Sequence, residues 1–136
     1  MKNNIMGIMA LSVLFLSTPC PVNAACARSD ISGTWRAFIV TGSTSFQGFA
    51  RASLIFSEIG KLDAANSTFA NSISPAIKFA KGSIKADTSC RVTAKLLTKA
   101  GVTLSIVDGQ MNASKDVVAG VYRTSSKDAG LINLIR

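Results

Sequence analysis

Few side chains in this sequence could do chemistry. The chain has no histidine, three cysteines, and seven Asp+Glu against fifteen Lys+Arg. Without imidazole there is no Ser-His-Asp or Cys-His nucleophile system and no histidine acid–base couple near neutral pH. Glu58 is the only glutamate and stands beside a turn signal. It does not make the facing carboxylate pair that glycoside hydrolysis needs. Asp108-Gly109 with Asn112 has the composition of a turn rather than of a calcium loop. Scattered acids and two distant cysteines do not form a metal cluster, and no phosphate-cradling glycine loop is present. The expectation is a protein that is not an enzyme, with no catalytic residue, no metal and no cofactor.

Two groups of residues remain. Cys26 and Cys90 are an even pair once Cys20 leaves with the segment described below. In an oxidising compartment they predict one disulfide, Cys26 to Cys90, worth about 4 kcal/mol by the chain-entropy argument. The second group is basic: Lys78, Lys81, Lys85, Arg91, Lys95 and Lys99. If the segments carrying them pair, one side of the domain becomes a positive patch that attracts an anionic surface or an acidic protein. Aromatic residues are not interleaved with these cations, which disfavours single-stranded nucleic acid.

The elements that position these groups begin after an address. Lys2 precedes an apolar run from Ile5 to Leu16, which ends at Thr18, Pro19 and Pro21. The run is shorter than the ~20 apolar residues that span a bilayer. With the small residues up to Ala24 it reads as a signal peptide over 1–24, cleaved after Ala24. The expected location is secreted or periplasmic, with no transmembrane segment after cleavage. Residues 25–136 form one domain and lose only Lys2 from the charge balance. A net charge of +8 thus becomes about +7.

Within 25–136 the dominant pattern is alternation of period two, the mark of half-buried strands. Trp35, Ala37 and Ile39 share one face of Thr34 to Thr41. Ala50, Ala52, Leu54 and Phe56 share one face of the next run. Cys90, Val92, Ala94 and Leu96 do so again. Lys99-Ala100-Gly101 then joins them to Val102, Leu104 and Ile106 as a hairpin. Weaker runs occupy 61–69, 77–86, 117–123 and 131–136. Gly82 marks a bulge or a close approach, and Gly109 a turn. About eight short strands at this spacing predict an all-β, antiparallel up-and-down barrel. Such a barrel either fills with side chains, its phenylalanines serving as core, or keeps room beside the small Ala37, Ala50, Ala52 and Ala94 for a small apolar ligand, and the pattern leaves both open.

Asp30-Ile31-Ser32-Gly33-Thr34-Trp35 opens the first strand. Here the chain resembles the calycins, the lipocalin and avidin type of closed barrel, whose first strand begins Gly-x-Trp. The resemblance implies that Trp35 closes one end of the barrel beneath a basic side chain from the last strands. Arg136 is the first choice for that role and Arg123 the second. The Thr-Asp-Tyr motif of lipocalins and the several tryptophans of biotin binders are absent. The chain also resembles the small periplasmic inhibitors of metalloproteases, exported barrels with an early tryptophan and one disulfide. That resemblance implies an inserting arm at Ala25-Cys26-Ala27-Arg28-Ser29. Both imply binding, of a small apolar ligand or of a secreted protein.

Overall fold

The alternation becomes strands because each apolar face finds a common interior. The computed structural model describes residues 25–42 and 47–136; the expected signal peptide lies outside them. Eight strands follow a short 3-10 turn, Arg28–Ile31. They are β1 (Gly33–Gly42), β2 (Gln47–Phe56), β3 (Thr68–Asn71), β4 (Phe79–Ala86), β5 (Arg91–Thr98), β6 (Thr103–Met111), β7 (Val117–Thr124) and β8 (Ala129–Ile135). All are antiparallel, in the order β3-β2-β1-β8-β7-β6-β5-β4. Sequential strands pair in every case but β3 and β4, and the first and last strands also pair, Ala37 opposite Leu134.

This order leaves β3 and β4 as the edges, and short backbone contacts draw them together. The Ile77 amide donates to the Phe69 carbonyl at 2.7 Å, the Leu62 amide to Gly82 at 2.9 Å, and the Ile84 amide to Gly60 at 2.8 Å. The result is a nearly closed eight-stranded barrel. Gly60 is required for it: φ is +73°, and a Cβ there would lie 2.1 Å from the Ile84 carbonyl oxygen. Such closure satisfies backbone groups that an open edge would expose.

The sequence pattern departs from the structure in two places. The weak run at 61–69 is not one strand. Lys61 and Leu62 bridge to neighbours, and the Asp63 carboxylate then accepts the amides of Ala65 and Asn66. This turn chemistry delays β3 to Thr68. Gly109 is not in a turn but inside β6, facing inward. A bulge at Val107–Asp108 resets the phase, so the inward set runs Leu104, Ile106, Gly109, Met111. In β4, by contrast, Gly82 is the close approach that the pattern allowed, lying against Leu96 and Leu62, while the register shift falls between Phe79 and Lys81.

Candidate functional site

The two ends of the barrel differ. At the end where β1 begins, Trp35, Ile31, Leu54, Ile84, Val92, Val118 and Leu134 are fully buried and fill the interior. The Trp35 indole N–H donates to the Ile31 carbonyl at 2.9 Å. The Arg136 guanidinium lies over the Trp35 ring, 4.7 Å from its centroid. Its Nη2 donates to the carbonyls of Asp30 at 2.5 Å and Ser32 at 2.9 Å. Arg136 therefore fastens the 3-10 turn across the barrel end while stacking on the indole.

The disulfide lies at the same end. Cys26 and Cys90 are bonded across a separation of 64 positions, with Cα atoms 5.0 Å apart. Cys90 occupies the turn just before β5, with φ +64°. The Cys26 amide also reaches the Thr88 carbonyl, and Lys115 Nζ donates to the Ala25 carbonyl. Lys115 further pairs with Asp30 at 2.8 Å. That ion pair, with the Ala27 amide on the same carboxylate, holds Asp30 below the ordinary value of 3.8. Residues 25–32 are thus fastened to the barrel. The inserting arm that the inhibitor resemblance implied is tied down along its described length.

The opposite end is open. A cavity of about 410 Å³ occupies it. Its floor and walls are apolar: Ile39, Ala50, Phe69, Phe79 and Leu104, with the Tyr122 ring. Of the four inward alanines expected to leave space, only Ala50 lines this cavity. Its rim is polar, for a topological reason. Four strands run toward this end, and each carries a polar residue at or next to its last position that lines the cavity: Thr41 on β1, Asn71 on β3, Thr98 on β5 and Thr124 on β7.

These rim groups also build the turns. Thr98 Oγ1 pairs with the Val102 amide and carbonyl, and Asn71 Oδ1 accepts the amides of Ile73 and Ser74. Thr124 pairs with Asp128, the one carboxylate among the described residues that lines the cavity. The Thr41 and Tyr122 hydroxyls are hydrogen-bonded to each other across β8, at Gly130.

The basic residues stand on the barrel wall. Ser83 pairs with Lys95, Lys85 with Thr93 and Lys81 with Leu97, so β4 and β5 bring their cations to one outer face. Lys78, Lys81, Lys85, Arg91, Lys95 and Lys99 are all exposed. Arg91 is spoken for by Asp108 at 3.1 Å; the other five have no ion pair among the described residues. Arg123 is not the tryptophan's partner. It points outward on β7 opposite Ser105 and Ala129, near the open end and away from Trp35. Among the described residues no group of three or more Cys, Asp or Glu is placed to hold a metal ion.

The architecture has a counterpart among solved structures. The fold matches a de novo designed fluorescence-activating β-barrel, with TM-score 0.60 and 15% identity over 81% of this chain and 96% of that one. At that identity the likeness shows the barrel fold alone. No family model and no curated protein matches the chain.

Thr41 and Thr98 continue the inward phase of Trp35, Ala37, Ile39 and of Val92, Ala94, Leu96. Alternation gave no reason to single out polar residues at strand ends. That signal appears only when the strand directions bring four such ends to one mouth.

Proposed function

We propose that this protein is a non-catalytic binding barrel that holds a small, mainly apolar ligand in its open end. The carrying observation is the cavity of about 410 Å³, with an apolar interior beneath the rim of Thr41, Asn71, Thr98 and Thr124. Its size falls within the usual span of ligand sites, about 300–1,000 Å³. Apolar walls under a polar rim suit an amphiphile whose chain enters first and whose head stays at the mouth. The plugged Trp35 end supports the calycin-like reading, because it makes the barrel a cup with one entrance. The disulfide fits a secreted or periplasmic home, and no helix among the described residues is long and apolar enough to cross a membrane.

Native and denaturing mass spectrometry test this reading on protein made through an oxidising export route. A mass excess lost on denaturation, or saturable uptake of a naphthalene sulfonate dye displaced by a fatty acid, is the expected result. Ala50→Phe, which fills the cavity, removes that uptake. Equal uptake by the filled variant would overturn the proposal.

A second reading, docking of an acidic secreted protein, is favoured by one observation. Lys78, Lys81, Lys85, Lys95 and Lys99 form an exposed face with no ion pair among the described residues. Salt-sensitive capture of such a partner, lost when Lys81 and Lys95 are changed to Glu, would separate it from ligand carriage.

A further inference from the structure

We propose that the open end docks onto the surface of an anionic phospholipid bilayer, with the cavity mouth facing the lipid. The proposal extends the ligand reading but does not depend on it, since an empty barrel would dock equally well.

The first observation is an apolar cluster on one side of the mouth. Ile73 is 76% exposed, Phe49 69%, Leu131 62% and Val40 61%. They are neighbours: Val40 pairs with Phe49 on β2 and with Leu131 on β8. The Ser72 amide, beside Ile73, donates to the Phe49 carbonyl at 3.1 Å. Ile73 lies between Asn71 and Ser74, which both line the cavity, so the cluster borders the entrance. Scattered exposed apolar residues are ordinary; four adjoining ones beside a cavity mouth mark an interaction surface.

The second observation is the distribution of charge along the barrel. Asp30, Glu58, Asp63, Asp87 and Asp116 all lie in the 3-10 turn or the turns of the closed end. Asp108 is on β6, paired with Arg91. At the open end the sole acid among the described residues is Asp128, half-buried against Thr124. The same end carries exposed Lys78, Lys99 and Lys127 in or beside its turns, with Arg123 just below. The net charge is therefore polarised: the closed end sets Arg28, Lys61, Lys115 and Arg136 against its acids, whereas the mouth sets Lys78, Lys99, Lys127 and Arg123 against Asp128 alone among the described residues, beside the apolar cluster.

Charge chooses the occupant. A second copy meeting mouth to mouth would set lysine against lysine on a chain of net charge +8. An anionic bilayer accepts both features, the lysines at its headgroups and the apolar cluster at the acyl boundary. Each Lys near such a surface contributes about a fivefold gain in partitioning.

Vesicle co-sedimentation of the disulfide-bonded, exported protein tests the proposal. Binding to phosphatidylcholine vesicles containing phosphatidylglycerol, absent on phosphatidylcholine alone and weakened by salt, is the expected result. Changing Lys78, Lys99 and Lys127 together to Glu lowers that partitioning about 100-fold or more. Ile73→Asp with Leu131→Asp lowers it while leaving the charge at the lysines intact. A matched reversal of Lys61, Lys81 and Lys85 on the wall is the control for diffuse attraction, and it costs much less. All these positions are exposed, so circular dichroism should show each variant folded.

Equal loss from the wall reversal would overturn the oriented docking. So would failure of the wild type to bind mixed vesicles, or a dimer in light scattering that Leu131→Asp disperses without any vesicle binding. Dye uptake in the absence of vesicles reads the cavity separately, so failure of either proposal is distinguishable from failure of the other.

Discussion

The guanidinium of Arg136 covers the ring of Trp35 at 4.7 Å and spends two N–H contacts on the carbonyls of Asp30 and Ser32. One side chain thus joins the end of the chain, the plug of the barrel and the turn that precedes β1. Charged hydrogen bonds of this kind contribute about 1.5–3 kcal/mol, and the stacked cation about 0.5–1 kcal/mol more. Arg136→Met keeps much of the aliphatic contact and loses both. Urea unfolding should show a loss of about 2 kcal/mol, with altered Trp35 fluorescence in the native state. Lys, with its flexible point charge, should recover only part of the loss. An unchanged midpoint in the Met variant would remove the role assigned here.

The disulfide acts at the same end by a different means. It closes a loop of 64 positions between the arm and the turn before β5. Constraining so long a loop lowers unfolded-state entropy by an amount worth about 4 kcal/mol. Cys26→Ser with Cys90→Ser should lower stability by roughly that amount, measured by denaturant titration beside the intact protein. Amide exchange should rise first in residues 26–32 and 86–91, because these lose their mutual tether. Uniform exchange across all strands would contradict the local part of this account.

The sequence pattern anticipated much of this because strands with one buried face advertise it. In β1, β2 and β5 the alternation is unbroken, and the inward sets beginning at Trp35, Ala50 and Val92 are the buried ones. It faltered where local chemistry overrides period two. Asp63 captures its own following amides and splits a run that otherwise reads as one strand. Val107–Asp108 bulges and shifts the phase, so Gly109 becomes an interior strand residue. The contact between Arg136 and Trp35 was legible only through the resemblance to Gly-x-Trp barrels, which implied a basic partner from the last strands. The cavity was not, because it depends on which strands point the same way and where the plug stops.

Three carboxylates set the acid limb of stability. Asp30 is held low chiefly by its hydrogen bond to Lys115. Asp63 is held low by Asn66, and Asp87 by Ser89 and the Arg91 amide. A depressed folded value means that the charged form is favoured by the native state. The resulting stability is fully present above the unfolded value near 3.8 and is lost as pH falls through the lower folded values. The melting temperature should therefore hold from neutrality to about pH 5 and fall steeply below pH 4. Asp30→Asn should flatten part of that fall. Asp63 and Asp87 are exposed and Asp30 is half-buried, but only Asp30 owes its shift chiefly to a cation, so added salt should weaken the effect of the Lys115 pair most. A melting temperature that rises on acidification would reverse the sign argued here.

Gly130 tests whether the mouth is a fitted site. It stands opposite Tyr122 on β7 and Thr41 on β1. A Cβ there would lie 1.9 Å from the Val40 carbonyl oxygen and 3.0 Å from Tyr122 Cε1. The missing side chain is thus what lets the Tyr122 ring lie across β8 and its hydroxyl reach Thr41. Alanine ordinarily stabilises a strand position by about 0.5–1 kcal/mol over glycine. Here the methyl must displace backbone, and overpacking of that kind costs about 1–3 kcal/mol. Gly130→Ala should be net destabilising and should reduce dye uptake, because the ring that forms one cavity wall has to move. Tyr122→Phe separates the two effects: it keeps the wall, removes the Thr41 hydrogen bond, and should retain uptake of a purely apolar dye. Gly101→Asn supplies the control. Its φ is +85° and nothing lies within 4 Å of a Cβ, so a residue tolerant of left-handed backbone should be accepted there. If Gly130→Ala is as harmless as Gly101→Asn, the mouth has slack that the geometry does not show, and the fitted role of Tyr122 falls.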